Sequence, residues 1–124
     1  MKVANRETGR LGENLAANAL REKGYRILER NFSNKFGEID IIAKDEDVLV
    51  FVEVKTKKGE EFGLPEEMVN PAKLHKIRNM AMLYTSGPAC RQAGAPFLCR
   101  LDVVAIVLSL TNEVLRLTHY ENVY

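Results

Sequence analysis

Asp40, Glu53 and Lys55 are the residues whose types and spacing could do chemistry. Two apolar-rich runs, residues 37–44 and 48–55, flank Asp45-Glu46-Asp47, which is the pattern of a β-hairpin. With the turn centred between Glu46 and Asp47, Lys44 faces Leu49, Ile42 faces Phe51, and Asp40 lies opposite Glu53. Side chains alternate along a strand, so one face carries Ile39, Ile41, Ala43, Val48, Val50, Val52 and Val54 and must be core. The other face carries Glu38, Asp40, Ile42, Phe51, Glu53 and Lys55. It is split: an apolar patch near the turn, and two facing acids with a lysine at the far end. Directly opposed like charges are unfavourable on a hairpin, where β-carbons stand about 4.5–5.5 Å apart. A divalent cation is the simplest bridge, because Mg²⁺ takes carboxylate oxygens at roughly 2.0–2.1 Å and keeps several waters. The plainer alternative is a half-exposed hairpin with a charged outer face, Lys55 neutralising Glu53.

Other elements must position these groups. Residues 9–23 predict a first helix: Leu11, Leu15 and Ala19 recur at four-residue spacing, Ala16 and Leu20 widen the stripe, and Gly24 stops it. Glu13 falls beside Leu20 at the border of that stripe, where it either leans toward the hairpin or pairs with a nearby arginine. Ile42 and Phe51 are expected to pack under this helix, leaving the acids in a cleft. Tyr25 to Phe32 predicts a strand, and Lys57-Lys58-Gly59-Glu60-Glu61 a charged loop that Gly63 and Pro65 continue. Asn70 is a plausible N-cap with Pro71 at the first helical position. From there Leu74, Ile77, Ala81 and Tyr84 form an apolar stripe, while Lys73, Lys76 and Asn79 lie on another face that either meets phosphates or is simply solvated. Gly87 and Pro88 end this helix and open a loop over 87–96. Phe97 to Leu108 predicts a strand buried on both faces, with Asp102 at the cleft edge, and Glu113 to His119 a last strand. The order α-β-β-β-α-β-β implies one α/β domain over residues 1–124 with a mixed sheet flanked by helices.

Composition bounds the possibilities. The chain has 124 residues, enough for one packed core, and its 46% hydrophobic and 28% charged content is ordinary for a globular protein. A net charge of +1 hides a segmental pattern: eight positives and four negatives in 1–36, four and ten in 37–70, six and three in 71–124. An acidic centre between basic arms suits a cation site serving an anionic substrate. Cys90 and Cys99 have no metal-ligand or redox spacing. The polar start lacks an apolar signal core, and the run Val103 to Leu108 is too short to span a bilayer. A soluble cytoplasmic protein without membrane contact is expected. There is no Gly-rich phosphate loop, no Gly-x-Gly-x-x-Gly, no triad context for Ser or Cys, and no metal-ligand spacing for His75 or His119.

The remaining constellation resembles the PD-(D/E)XK nuclease superfamily, whose fold is restriction-endonuclease-like: Glu13 on a helix, Asp40, then Glu53-Val54-Lys55. A wider match covers nearly the whole chain. Gly9-Arg10-Leu11-Gly12-Glu13, residues 24–31, residues 37–43, Phe51-Val52-Glu53-Val54-Lys55-Thr56 and residues 100–106 look like successive blocks of the YraN-like bacterial family, itself distantly similar to archaeal Holliday-junction resolvases. Ile39 stands where the superfamily's first motif often has Pro. The resemblance implies an α-β-β-β-α-β core and a Mg²⁺- or Mn²⁺-dependent endonuclease acting on DNA, including branched or junction DNA, or on RNA. Asp40, Glu53 and the Val54 backbone carbonyl would hold the metal, Lys55 would hold the attacking water or stabilise phosphorane charge, and Glu13 would assist. Arg10, Lys73 and Lys76 would contact the nucleic-acid backbone, and a homodimer would follow from likeness to resolvases. Two rivals stand beside it: a non-catalytic nucleic-acid-binding module that kept the fold, and a protein whose acidic cleft docks a basic segment.

Overall fold

The structure, a computed structural model, describes residues 2–59, 70–87 and 98–123. The predicted loop residues Glu60, Glu61, Gly63, Pro65 and 88–96, with Cys90, and the strand start Phe97, lie outside the described residues. In chain order the elements are α1 (Lys2–Glu22), β1 (Arg26–Asn34), β2 (Gly37–Asp45), β3 (Val48–Lys58), α2 (Pro71–Thr85), β4 (Leu98–Leu108) and β5 (Val114–Tyr120). The strands form one sheet in the order β1-β2-β3-β4-β5. Every neighbour is antiparallel except β3 and β4, which run parallel. A parallel pair needs a crossover, and α2 lies within it. The expected mixed α/β sheet with flanking helices is what forms.

Each helix covers one face of the sheet. Ala16, Ala17 and Leu20 of α1 pack on Ile41, Ala43, Val50, Val52, Val54, Val104, Ile106 and Leu108. Ile77, Met80 and Ala81 of α2 pack on Ile39, Ile42, Leu49, Phe51 and Leu101. Ile42 and Phe51 therefore lie under α2, not under the first helix as the sequence suggested. An apolar stripe shows that a helix buries one side, but not which sheet face receives it. Ile39 also departs from expectation by joining the α2 cluster rather than that of Ile41. The two-residue alternation breaks at Asp40, where the β2–β3 pairing has ended at Ile41↔Val52. Asn31, in the left-handed region at φ 55°, lies across β1 between the pairs Arg30↔Ile41 and Phe32↔Ile39, beside the same break.

The hairpin register is the predicted one: Lys44 pairs Leu49, Ile42 pairs Phe51, and a two-residue turn, Glu46-Asp47, joins the strands. Lys57 and Lys58 are not loop but strand, because β4 continues beside them, pairing them with Val107 and Leu108. Helix α1 begins earlier than residue 9, and its first turns carry no apolar stripe by which to see it. At its end Gly24, at φ 95°, takes the left-handed position that lets the Tyr25 N–H donate to the Leu20 carbonyl. Asn70 caps α2 as expected, its Oδ1 accepting the Lys73 N–H at 2.9 Å, with Pro71 at the first helical position.

Candidate active site

Strands β2 and β3 part beyond Ile41↔Val52, and the gap between them is where the acids stand. Asp40 Oδ2 accepts the backbone N–H of Val54 at 2.8 Å, a side chain filling the place of a ladder partner. Its carboxyl also hydrogen-bonds Glu53 across the gap. Both are buried, at 8% and 4% exposure. Lys55 Nζ lies 3.6 Å from Glu53 Oε2, and Lys73 Nζ, arriving from the first turn of α2, lies 2.7 Å from the same oxygen. That oxygen is buried and makes no well-directed hydrogen bond, so its contact with Lys73 is a charge pairing rather than an aligned bond. A cavity of about 310 Å³ opens here, lined by Glu38, Asp40, Glu53, Val54, Lys55, Lys73 and Lys76 and by the apolar Ile77 and Met80.

The four central groups share one electrostatic problem. Burial pushes the Asp40 carboxyl up to about 8, helped by the hydrogen bond to Glu53 and by Glu53's charge. Burial also pushes Glu53 up, but the hydrogen bond from Asp40 and the ammonium groups of Lys73 and Lys55 outweigh it and hold Glu53 below the usual carboxylate range. Near neutral pH one proton therefore sits on Asp40 and bonds an ionised Glu53. Burial lowers Lys55, and the neighbouring Lys73 adds to that. Lys73 is raised, its own burial outweighed by Glu53. The expected repulsion between facing carboxylates is present, and a shared proton and two lysines relieve it.

Glu13, on α1, does not line the acid cavity, though it is near enough for its charge to act on Asp40. Burial raises its carboxyl, with Arg30 and Asn31 pulling the other way. Its charge is felt at Asp40, and that of Glu53 at Glu13. The same glutamate lines a second cavity of about 590 Å³ with Arg6, Gly9, Arg10, Asn14, Arg30 and Asn31. Arg30 Nη2 donates to Asn14 Oδ1 at 2.7 Å, while its Nε is buried without a partner. Arg10, expected at the nucleic-acid backbone, lines this cavity together with Arg6 and Arg30, which the sequence does not single out. Arg6 precedes Arg10 by four residues on one helix face, a spacing visible in the sequence. Nothing local marks Arg30, whose place depends on how β1 pairs. Lys76 is exposed at the edge of the acid cavity.

Asp102 is not at the cleft edge. It lies beside Val52 in the β3–β4 register, on the α1 face, 1% exposed. Its oxygens accept from Arg100 at 2.9 and 3.1 Å and from the Asn122 N–H at 3.0 Å, and His119 Nε2 stands 2.7 Å away. Burial would raise it, but those partners outweigh burial and hold it below the ordinary range. This cluster ties β4, β5 and the chain end together.

Among the described residues no group of three or more His, Cys, Asp or Glu side chains is placed to hold a metal. Asp40 and Glu53 offer two carboxyls, and Glu53 Oε2 is a buried oxygen short of a directed partner. That donor set fits a hard cation that keeps most of its waters. No described helix is long and apolar enough to cross a membrane.

Residues 12–106 match the family described as Uncharacterised protein family UPF0102. A UPF0102 protein of Pelotomaculum thermopropionicum is 40% identical over 124 residues, all of both chains. One of Clostridium botulinum is 43% identical over 113 residues, covering 91% of this chain and 89% of the relative, and one of Syntrophomonas wolfei is 52% identical over 80 residues, 64% and 70%. The chain belongs to the UPF0102 family, the YraN-like proteins that its sequence blocks resemble.

Proposed function

We propose that this protein is a divalent-metal-dependent nuclease, built on a restriction-endonuclease-like core, that hydrolyses phosphodiester bonds in DNA or RNA. One observation carries the proposal: a buried carboxyl pair, Asp40 and Glu53, set where two strands part, with lysines beside it and an arginine-lined cavity across Glu13. An acid pair kept out of water at the cost of a shared proton is poor structural cement. It is a sensible host for a cation. When bound, a Mg²⁺-class ion supplies Lewis-acid polarisation of a phosphoryl oxygen and acidifies water. The Asp40 and Glu53 carboxylates would hold it, Asp40 giving up its proton, with the Val54 carbonyl as a further donor. Lys55, half-buried beside Glu53, would steady charge on the phosphoryl group. Lys73 would leave Glu53 and turn its ammonium to a phosphate. Arg6, Arg10 and Arg30 would carry the neighbouring backbone, giving salt-sensitive affinity with little base readout.

A second reading is favoured by a specific contact. Lys73 already offers Glu53 a cation at 2.7 Å, so the cleft is partly neutralised without metal, as suits a module that binds nucleic acid without cutting it. One assay separates the two: single-stranded, duplex, flap and junction substrates of DNA and RNA, with Mg²⁺ or Mn²⁺, against wild type, Asp40→Asn, Glu53→Gln and Lys73→Met. The nuclease cuts at least one substrate, and the two acid variants lose at least about a hundredfold in rate, as expected when charge stabilisation is removed. Lys73→Met binds the metal alone more tightly, because a competing ammonium is gone. Tight binding with no cleavage by wild type establishes the binding module instead.

A further inference from the structure

Three large apolar side chains stand out of the core in one place. Phe36, 53% exposed, is at the tip between β1 and β2, and Met82 and Leu83, 59% and 48% exposed, are on the outer side of α2. Helix α2 already buries Ile77, Met80 and Ala81 against the sheet, so these residues contribute nothing to that core. The tip is built to stay where it is. The Phe36 N–H donates to Asn34 Oδ1 at 2.8 Å, and Gly37, at φ 145°, runs so close to α2 that a Cβ there would meet Met80 Sδ at 3.2 Å. Between tip and helix lies a recess of about 520 Å³ lined by Phe36, Lys76, Asn79, Met82, Leu83 and Ser86.

We propose that this recess seats an unpaired nucleobase next to the phosphate held at the Asp40–Glu53 cleft. The inference rests on the nuclease or nucleic-acid-binding reading above and narrows its substrate to strands that are single or unpaired at that point. Lys76 carries the link, because it lines both the recess and the acid cavity. The two cavities thus share a wall, and a strand with its phosphate on one side presents its base to the other. The chemistry of the recess suits a base: an aromatic face and two flexible aliphatic side chains for stacking, with the Asn79 amide at the rim to meet a base edge. Lys35 Nζ, 5.2 Å from the Phe36 ring centroid, and Lys76 add positive charge on either side. A second copy of this chain is the poorer occupant. A two-fold contact through this patch would set like lysines near one another, and no acid is among the described lining residues to offset them. A paired base inside an intact duplex is stacked within the helix and does not reach the recess.

The test uses fluorescein-labelled oligonucleotides, either single-stranded, blunt duplex or duplex with one bulged nucleotide, bound in EDTA so that nothing is cut. It compares wild type, Phe36→Ala, Phe36→Tyr and, from the helix side, Leu83→Ser, with sedimentation of each protein alone. Phe36→Ala and Leu83→Ser should weaken single-stranded and bulged binding, Phe36→Ala by about tenfold, the scale of one lost base–aromatic stack. Blunt-duplex affinity should stay as in wild type, and Phe36→Tyr should retain tight binding. Equal losses on all three substrates, or no loss, would overturn the base seat while leaving nucleic-acid binding in place. A dimer that becomes a monomer in Phe36→Ala would overturn it too, by showing that copies of the chain cover this face. Wild type that binds none of the three would overturn the seat and the reading beneath it together.

Discussion

Asp40 keeps a proton near neutral pH because the alternative is two buried carboxylates facing each other. The consequence for stability has a definite sign. The unfolded chain releases this proton near 3.8 and the folded chain near 8, so between those values the native state binds more protons. Stability therefore falls as pH rises through that window, and above it the full penalty of ionising Asp40 is present. Glu53 acts the other way: its lowered value gives stability that is lost only in acid. Asp40→Asn is close to isosteric, its carbonyl able to accept the Val54 N–H and its amide to donate to Glu53. That variant should match wild type only below about pH 4, where both states hold the proton, and lead it increasingly above, by on the order of 4–5 kcal/mol near pH 8, with a much flatter profile between. Chemical denaturation across the pH range in EDTA measures this. A wild type whose stability rises from pH 5 to 8, with Asp40→Asn parallel to it, would mean that the pair is held by its lysines alone and stores no strain.

At the scale of elements, α1 is set on the sheet by a missing side chain. Gly12 lies against Thr56 of β3, and a Cβ at residue 12 would come within 2.8 Å of the Thr56 Cβ and closer still to its hydroxyl. That approach holds α1 close on β3, with Glu13 the next residue along the helix. Gly12→Ala should destabilise by roughly 1–3 kcal/mol despite alanine's better helix propensity, because the helix must lift from β3. Urea melts check it; an unchanged or raised midpoint would show that Thr56 yields instead. Gly12 also shows how far a sequence can be read. Local signals were legible: the Asn70-Pro71 cap, the Asp45–Asp47 turn and the hairpin register that sets Lys44 opposite Leu49 and Ile42 opposite Phe51. What was not legible depended on how elements meet. The stripe of α2 could not say that it covers Ile42 and Phe51, nor could the strand pattern say that β3 runs on through Lys57 and Lys58 beside β4. The sequence set Lys73 beside Lys76 on a basic helix face, expected to meet phosphates or to be simply solvated. Only the docking of α2 turns it onto Glu53.

For the whole molecule, the basic first segment and acidic centre visible in the sequence become two cavities, one lined by Arg6, Arg10 and Arg30 with Glu13 and the other holding the acid pair, near enough that the Glu13 charge is felt at Asp40. On the nuclease reading, a polyanion drawn to the arginines would pass toward carboxylates whose charge is already reduced by the Asp40 proton and two lysines. If those arginines hold phosphates, they release counterions on binding, and the salt dependence of affinity counts them. Replacing Arg6, Arg10 and Arg30 together by Gln should lower the slope of log affinity against log salt by about two units, since each phosphate contact is worth about 0.9 on duplex and about 0.7 on single strands. Arg21 provides the control. It lies on the same helix, about 16–22 Å beyond Arg10 and Arg6 at 1.5 Å per residue, further than a Debye length at physiological salt. Arg21→Gln removes the same charge and should leave the slope as it is. Titrations at several salt concentrations in EDTA give all three slopes, and thermal melts confirm that the triple variant is folded, Arg30 being partly buried. A triple variant with the wild-type slope, or an Arg21 variant with a reduced one, would mean that the strand crosses another part of the surface and that the arginine cavity serves something else.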